Sequence, residues 1–238
     1  LLSLQKSIMT DRATAIIVGA GYSRRFGEDK IFKPLMGKAL IEWTLRPFLE
    51  NNLIKEVILV LRPEVLSQAR ALFPESKVRA IVPGGQSRSQ SVQNGLNEVQ
   101  DARLVLVHDG DRPCLSQQLL NRILGELEYY PAVVPLLPGK ETVKAVKSEM
   151  FVERTLGKEF WVAQTPQGFQ TRVLREAFSS LEDVNSSPDE AFLVERAGVP
   201  VKGVMGEDTN IKVTVPLDFK IAEMILREQT GAKSGFGY

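Results

Sequence analysis

The chain has 238 residues, 43% of them hydrophobic, which is enough to bury one large α/β core. Its formal net charge of +1, with 25% charged residues, excludes a surface built to coat a polyanion, so no nucleic-acid partner is expected and any anion site is local. The single cysteine, Cys114, excludes an internal disulfide framework and fits a reducing, cytoplasmic setting, and no apolar run approaches the ~18 residues that span a bilayer.

Leu1 to Met9 contains Gln5 and Lys6 and is too polar for the core of a signal peptide, with Met9 reading as a natural start. The first strand is expected at Thr14 to Val18. A helix from Leu40 to Glu50, a strand from Glu56 to Leu61, a helix from Val65 to Leu72 and a strand from Val78 to Val82 follow. Ser87 to Val99 reads as a helix, Leu104 to Val107 as a strand, Leu115 to Leu127 as a helix, and Ala132 to Val134 opens a fifth strand. This alternation predicts βαβ units in a doubly wound, mainly parallel, Rossmann-like sheet whose following loops share one edge. The rhythm breaks between Pro138 and Trp161, where alternating Val143, Ala145 and Val146 among lysines predict a protruding β-arm. Helices from Arg172 to Ser180 and Asp189 to Arg196, strands near Val201 and Lys212, and a helix from Leu217 to Arg227 complete one domain over residues 10–230. Residues 1–9 and 231–238 are expected to be flexible ends.

The loop after the first strand carries Gly19, Gly21, Arg24, Arg25, Lys30 and Lys33. Glycines at a strand end let backbone approach a phosphate closely. A dinucleotide fingerprint would place a glycine or alanine where Arg24 stands, and an acid at the end of the second strand, where Leu61 and Arg62 stand. An arginine there suits a 2′-phosphate, so a dehydrogenase stays open. Four cations in one glycine-rich loop favour the other reading, a triphosphate whose leaving pyrophosphate needs fixed positive charge.

Gly19-Ala20-Gly21 with Arg25 and Asp29 to Leu35, then Gly84 to Leu96, Val107 to Pro113, Gln164 to Phe169 and Asn210 to Thr214 resemble, in order, the motifs of the 2-C-methyl-D-erythritol 4-phosphate cytidylyltransferases. The chain departs from that pattern in places. Gly19 replaces a second alanine, Ser23 a glycine and Asp111 a small residue, and the loop is about two residues short between the arginine and the lysine. Lys30 is taken as the family's catalytic lysine because its spacing to Pro34-Leu35 fits, with Lys33 as the alternative.

The resemblance implies a homodimeric enzyme of isoprenoid precursor synthesis that joins CTP to 2-C-methyl-D-erythritol 4-phosphate and releases pyrophosphate. The attacking phosphate is already an anion near pH 7, its second pKa being about 6, so no general base is needed and the barrier is electrostatic. Arg25 and Lys30 are expected on the CTP phosphates, with Lys212 between the nucleophile and the α-phosphate. Gly19, Ala20, Gly21, Tyr22 and Ser23 would wrap the nucleotide. Gly84, Gly85, Gln86 and Ser91 would read cytosine, and Arg88 would brace the site. Asp109 is expected on the ribose or on substrate hydroxyls, and Arg112 on a phosphate. His108, the one histidine, is expected to orient the loop rather than to transfer protons. Asp111 has no assigned role beyond a hydroxyl, a metal-bound water or a pairing with Arg112.

In the arm, Thr142 would meet the sugar phosphate. The family's arm arginine is Gly157 here, so Arg154 or Lys158 would serve instead. Trp161 and Phe169 are expected as core anchors. Mg²⁺ is expected to be held mainly by CTP phosphates, with no dedicated protein metal ligands. The arm is expected to pack on that of a second subunit, with Thr142 and the arm cation acting in trans. Two other readings accompany this one, a ribitol 5-phosphate cytidylyltransferase and a non-catalytic nucleotide-binding module. Joint retention of Arg25, Lys30, Asp109, Arg112 and Lys212 speaks against the second of them.

Overall fold

The computed structural model describes residues 13–231 apart from positions 24, 75, 158, 159, 182 and 186. Strand β1 (Ala13–Gly19) is followed by a loop and a short ribbon, β2 (Pro34–Leu35) against β3 (Lys38–Ala39). Helix α1 (Leu40–Glu50) begins where the Glu42 carboxylate accepts from the Ala39 N–H at 2.6 Å, a first-turn acid satisfying a free backbone donor. Then come β4 (Ile54–Leu61), a 3₁₀ turn at Pro63–Val65, α2 (Leu66–Leu72) and β5 (Val78–Pro83). Helix α3 (Arg88–Glu98) is capped by Ser87, which accepts from the Gln90 N–H at 3.0 Å. Strand β6 (Leu104–Asp109) leads to α4 (Gln117–Glu126), which starts two residues later than the apolar pattern suggests because Ser116 caps it.

Strand β7 (Ala132–Pro138) leads into a hairpin of β8 (Lys144–Val146) and β9 (Val152–Thr155), which falls within the segment 138–161 expected as an arm. The chain returns through β10 (Trp161–Ala163) and β11 (Gln167–Gln170), then α5 (Thr171–Ser180), α6 (Glu190–Arg196), β12 (Lys202–Met205) and α7 (Pro216–Thr230). The main sheet runs β10-β7-β11-β6-β1-β4-β5, with β12 also on β7. Strands β6, β1, β4 and β5 are mutually parallel, while β10 runs antiparallel to β7, and β11 antiparallel to β6 and β7.

Alternation along the parallel strands feeds two cores. Ala15, Ile17, Leu59 and Leu106 pack on one face with α1 and α4, whereas Ile16, Ile58, Val60, Val105 and Val107 pack on the other with α3, α5 and α6. A third cluster, with Phe26, Leu35, Trp43, Cys114, Val213 and Leu226, ties the loop after β1 to α7. Parallel strands share a direction, so β1, β4, β5 and β6 all deliver their C-terminal ends, Gly19, Leu61, Pro83 and Asp109, to one edge.

Two expectations fail here. Residues 211–214 are irregular, not a strand: the Val213 N–H donates to the Asp111 carbonyl at 2.8 Å instead of joining a ladder. Trp161 is 54% exposed, because β10 pairs with β7 alone and has no strand on its other side among the described residues, whereas Phe169 on β11 is fully buried as expected. The expected end segments 1–9 and 232–238 lie outside the described residues.

Candidate active site

A groove in two joined parts opens at this edge. One part, about 210 Å³, is lined by Gly19, Gly21, Ser23, Arg25, Lys30, Asp111, Lys212 and Thr214. The other, about 270 Å³, is lined by Ala20, Gly21, Tyr22, Gly85, Gln86, Arg88, Ser91 and Asp109, and shares Val18, Gly21, Asp111 and Lys212 with the first. Two larger concavities, of about 410 and 570 Å³, lie away from the strand ends, beside α7 and at the start of α5. The switch-point groove is the chemically equipped one.

Glycines allow its floor to close. A side chain at Gly84 would place its Cβ 2.3 Å from that of Ala20, and one at Gly110 would lie 3.0 Å from the Gly19 Cα. Only bare backbone lets the three strand-end loops meet there. The Gly85 N–H donates to the Ser91 Oγ at 3.0 Å and the Gln86 N–H to the Gln90 Oε1 at 2.7 Å, which fixes the turn before α3. Ser91 is buried and holds that turn from below.

Asp109 is the hub. Its Oδ1 accepts from Arg88 at 3.2 and 3.3 Å, and its Oδ2 from Lys212 at 2.9 Å and Arg112 at 3.3 Å. Burial alone would raise this carboxyl, but Arg88, Lys212 and Arg112 override it and hold Asp109 well below the usual carboxylate range. Arg88 in turn donates to the fully buried Glu190 at 2.6 Å. Burial pushes the Glu190 carboxyl up against the opposing pull of Arg88, while the two acids keep the Arg88 guanidinium firmly charged despite its own burial. His108 lies beneath, with its Nδ1 2.9 Å from the Thr165 Oγ1 and its Nε2 3.3 Å from the Arg112 carbonyl. Burial pushes its imidazole down to about 3, so it is neutral at physiological pH and is not an imidazolium acid.

Lys30 is buried, and its ammonium donates to Asp111 at 2.6 Å and to the Val213 carbonyl at 2.5 Å. Lys33 instead pairs with Glu28 at 2.6 Å and lies over the Phe219 ring, outside the groove. The structure thus brings Arg25, Lys30 and Lys212 together with Gly19, Ala20, Gly21, Tyr22, Ser23, Gly85, Gln86, Arg88, Ser91 and Asp109. Arg112 lies under the groove, not in it, donating to the Asn210 carbonyl at 2.9 Å as well as to Asp109. Thr142 and Arg154 stand exposed on the arm and line neither part. Arg24 and Lys158 lie outside the described residues.

The pairing considered between Asp111 and Arg112 does not form, since Arg112 turns back to Asp109 and Asp111 faces the two lysines. Arg62, which a dinucleotide site would aim at a 2′-phosphate, is tied to Asp29 and stacked over Tyr22. Glu190 escaped the sequence reading. So did the bracing by Thr165, which accepts from the Asp109 N–H, and by Asn210, whose amide donates to the Thr165 carbonyl. The Gln164-Thr165-Pro166-Gln167 and Asn210-Ile211-Lys212 motifs were the available signal.

Residues 13–228 match the family model described as 2-C-methyl-D-erythritol 4-phosphate cytidylyltransferase. A protein of that name from Microcystis aeruginosa is 36% identical over 222 residues, covering 90% of this chain and 98% of the relative. One from Dehalococcoides mccartyi is 37% identical over 225 residues, covering 92% and 98%. Among solved structures, the enzyme of that name from Thermus thermophilus has a TM-score of 0.74 at 35% identity, over 91% of this chain and 99% of that one. The 4-diphosphocytidyl-2C-methyl-D-erythritol synthase of Anaerococcus prevotii has a TM-score of 0.80 at 28% identity, over 93% and 99%. These relatives carry the erythritol name, which favours that substrate over ribitol 5-phosphate. The chain is a nucleotidyltransferase and belongs to the 2-C-methyl-D-erythritol 4-phosphate cytidylyltransferase family.

Proposed function

We propose that the groove joins CTP to 2-C-methyl-D-erythritol 4-phosphate, with the triphosphate against Gly19, Gly21, Ser23, Arg25 and Lys30, and the cytidine against Ala20, Tyr22, Gly85, Gln86 and Asp109. The observation that carries this reading is the convergence of Arg25, Lys30 and Lys212, from two distant segments, on one glycine-floored groove. An oxygen of the sugar phosphate attacks the α-phosphorus, the bond from that phosphorus to the oxygen bridging to the β-phosphate breaks, and pyrophosphate leaves with the electron pair. Lys30 and Arg25 offset the charge gathering on the leaving group, and Lys212 offsets that between nucleophile and α-phosphate. Buried, neutral His108 leaves no histidine base at the groove, and an anionic nucleophile needs none. Ser91 and Arg88 act from behind, the first by fixing the Gly85 turn, the second by fixing Asp109. Arg112 steadies Asp109 from below.

The donor set fits Mg²⁺ held mainly by the triphosphate. Asp109 and Asp111 are the carboxylates lining the groove, and no group of three or more His, Cys, Asp or Glu side chains among the described residues forms a metal cage. The ion would supply charge neutralisation on the triphosphate, with Asp109 as its protein contact.

The arm supports a homodimer. Phe151 is 68% exposed, and Val146, Val152 and Leu156 are exposed beside it on a two-stranded hairpin that would be marginal alone in water. Packing two arms about a two-fold axis would cover them and carry Thr142 and Arg154 to the neighbour's sugar phosphate. Arg154 lies on β9, paired opposite Ala145. Buried Cys114, with its thiol pushed up to about 12 by burial, suits the cytoplasm, and no helix among the described residues is long and apolar enough to cross a membrane.

Pyrophosphate release with CTP, UTP, ATP and GTP tests the reading. A site that reads a base edge through fixed backbone groups rejects the wrong edge strongly, so CTP should exceed UTP by ~100-fold or more. Comparable turnover with UTP, or full activity in excess chelator, contradicts it.

A further inference from the structure

Asp111 lines the phosphate part of the groove beside Lys30 and Lys212, and nothing in the reaction as derived requires a second carboxylate beside Asp109. It belongs to no metal cage among the described residues, and its side chain is only 14% exposed. Its Oδ2 accepts from the Lys30 ammonium at 2.6 Å, and its Oδ1 lies 4.0 Å from that of Lys212. Its backbone carbonyl accepts from the Val213 N–H at 2.8 Å, and the Val213 carbonyl accepts from Lys30. One residue therefore touches the loop after β1 and the segment before α7 through both side chain and backbone. These two segments supply the two lysines.

We infer that Asp111 is a positioning residue that sets Lys30 and Lys212 on the phosphate groove. This rests on the groove being the CTP phosphate site. The chemistry is that of two ammonium groups sharing one narrow opening. Each is long, flexible and repelled by the other, and each loses entropy when fixed. A carboxylate between them offsets the repulsion and fixes Lys30 from one side, while the Val213 carbonyl fixes it from another. Lys212 is fixed in the same way by Asp109 at 2.9 Å, with Asp111 as its second counter-charge. The site keeps its cations in place before any nucleotide arrives.

The opposing idea is that Asp111 merely occupies the position of a phosphate oxygen and competes with CTP. The two differ in which kinetic constant responds. Steady-state pyrophosphate release is measured for the wild type, Lys30→Ala, Asp111→Ala and Asp111→Asn, with melting temperatures for all four. Positioning predicts that Asp111→Ala lowers kcat about tenfold or more, since a misplacement of about 1 Å can cost about 100-fold, with a change in KM for CTP of under about threefold. Asp111→Asn keeps an acceptor for Lys30 and should recover part of that kcat. If Asp111→Ala fails to fold, a lower kcat at an unchanged KM in a stably folded Asp111→Asn carries the same support. A kcat in Asp111→Ala that is unchanged or raised, with or without a lower KM, overturns the inference. The reading of the groove is separated by Lys30→Ala, whose loss of turnover stands whatever Asp111 does, and whose full activity would remove the reading itself.

Discussion

In the groove, Asp109 accepts from three cations while almost wholly buried, and every strand-end loop is pinned by a second one. In the arm, Thr142 and Arg154 face solvent, and the hairpin is held by a three-pair ladder between Lys144–Val146 and Val152–Thr155 with a backbone bond at each end, from Lys147 to Phe151 and from Leu156 to Val143. The first region has its charges fixed before substrate arrives, and its construction needs only one chain. The second has the composition of a structure that expects a partner. Under the proposed dimer this difference would be a division of labour: nucleotide chemistry within a protomer, and recognition of the sugar phosphate completed between protomers.

The largest expected effect lies in the groove. Lys30→Ala should lower turnover by ~100- to 1000-fold, the scale for removing one preorganised electrostatic group. A loss under threefold would move the role to Lys33, which is paired with Glu28 outside the groove. Next comes Asp109→Ala, which leaves Arg88, Arg112 and Lys212 without their shared carboxylate. Breaking a buried pair from one side costs about 3–5 kcal/mol, so chemical denaturation should show a large loss of stability along with activity. The Asp109 carboxyl is depressed in the folded chain. Its contribution is therefore fully present above the unfolded value of about 4, and is lost as pH falls from there through the folded value.

In the arm, Thr142→Ala should lower kcat/KM for the sugar phosphate about tenfold, the scale of one hydrogen bond to a charged group, with KM for CTP and the melting temperature little changed. Mixing Lys30→Ala with Thr142→Ala protein under subunit exchange sharpens the comparison. A site shared between protomers restores activity toward about a quarter of wild type, because one site in each heterodimer has both residues. A monomeric mass at assay concentration, or no rescue after verified exchange, contradicts the arm's role.

The smallest expected effect is on the one histidine. The ring signal of His108 should stay flat between pH 8 and 5, because burial holds it neutral down to about 3. Its folded value lies below the unfolded one, so its share of stability is full above about pH 6.5 and lost as pH falls toward about 3. A titration midpoint near 6.5 contradicts its placement.

Much of this was legible in the sequence, because β1, β4 and β6 are continuous apolar runs and α3 and α6 announce themselves with caps at Ser87 and Asp189. What escaped depends on contacts between distant residues. Ile211 to Thr214 alternates like a strand, yet its backbone bonds go to Thr209, to Asp111 and to the Lys30 and Asp218 side chains. Trp161 looks like a core residue, and only the strand pairing, with β10 bonded to β7 alone, leaves it exposed. Glu190 holds Arg88 from 102 residues away, which no local pattern marks. Asp111 lies beside Arg112 in the chain but turns to a lysine 81 residues earlier.

The central claim is most directly tested by following phosphorus resonances while the protein acts on CTP and 2-C-methyl-D-erythritol 4-phosphate with Mg²⁺, in parallel with ribitol 5-phosphate. The account predicts that the three CTP signals and the monoester signal decline together, as a pyrophosphate singlet and the paired doublets of a new unsymmetrical diphosphate appear, faster with the erythritol substrate. Release of inorganic phosphate instead of pyrophosphate, or faster conversion of ribitol 5-phosphate, would contradict it.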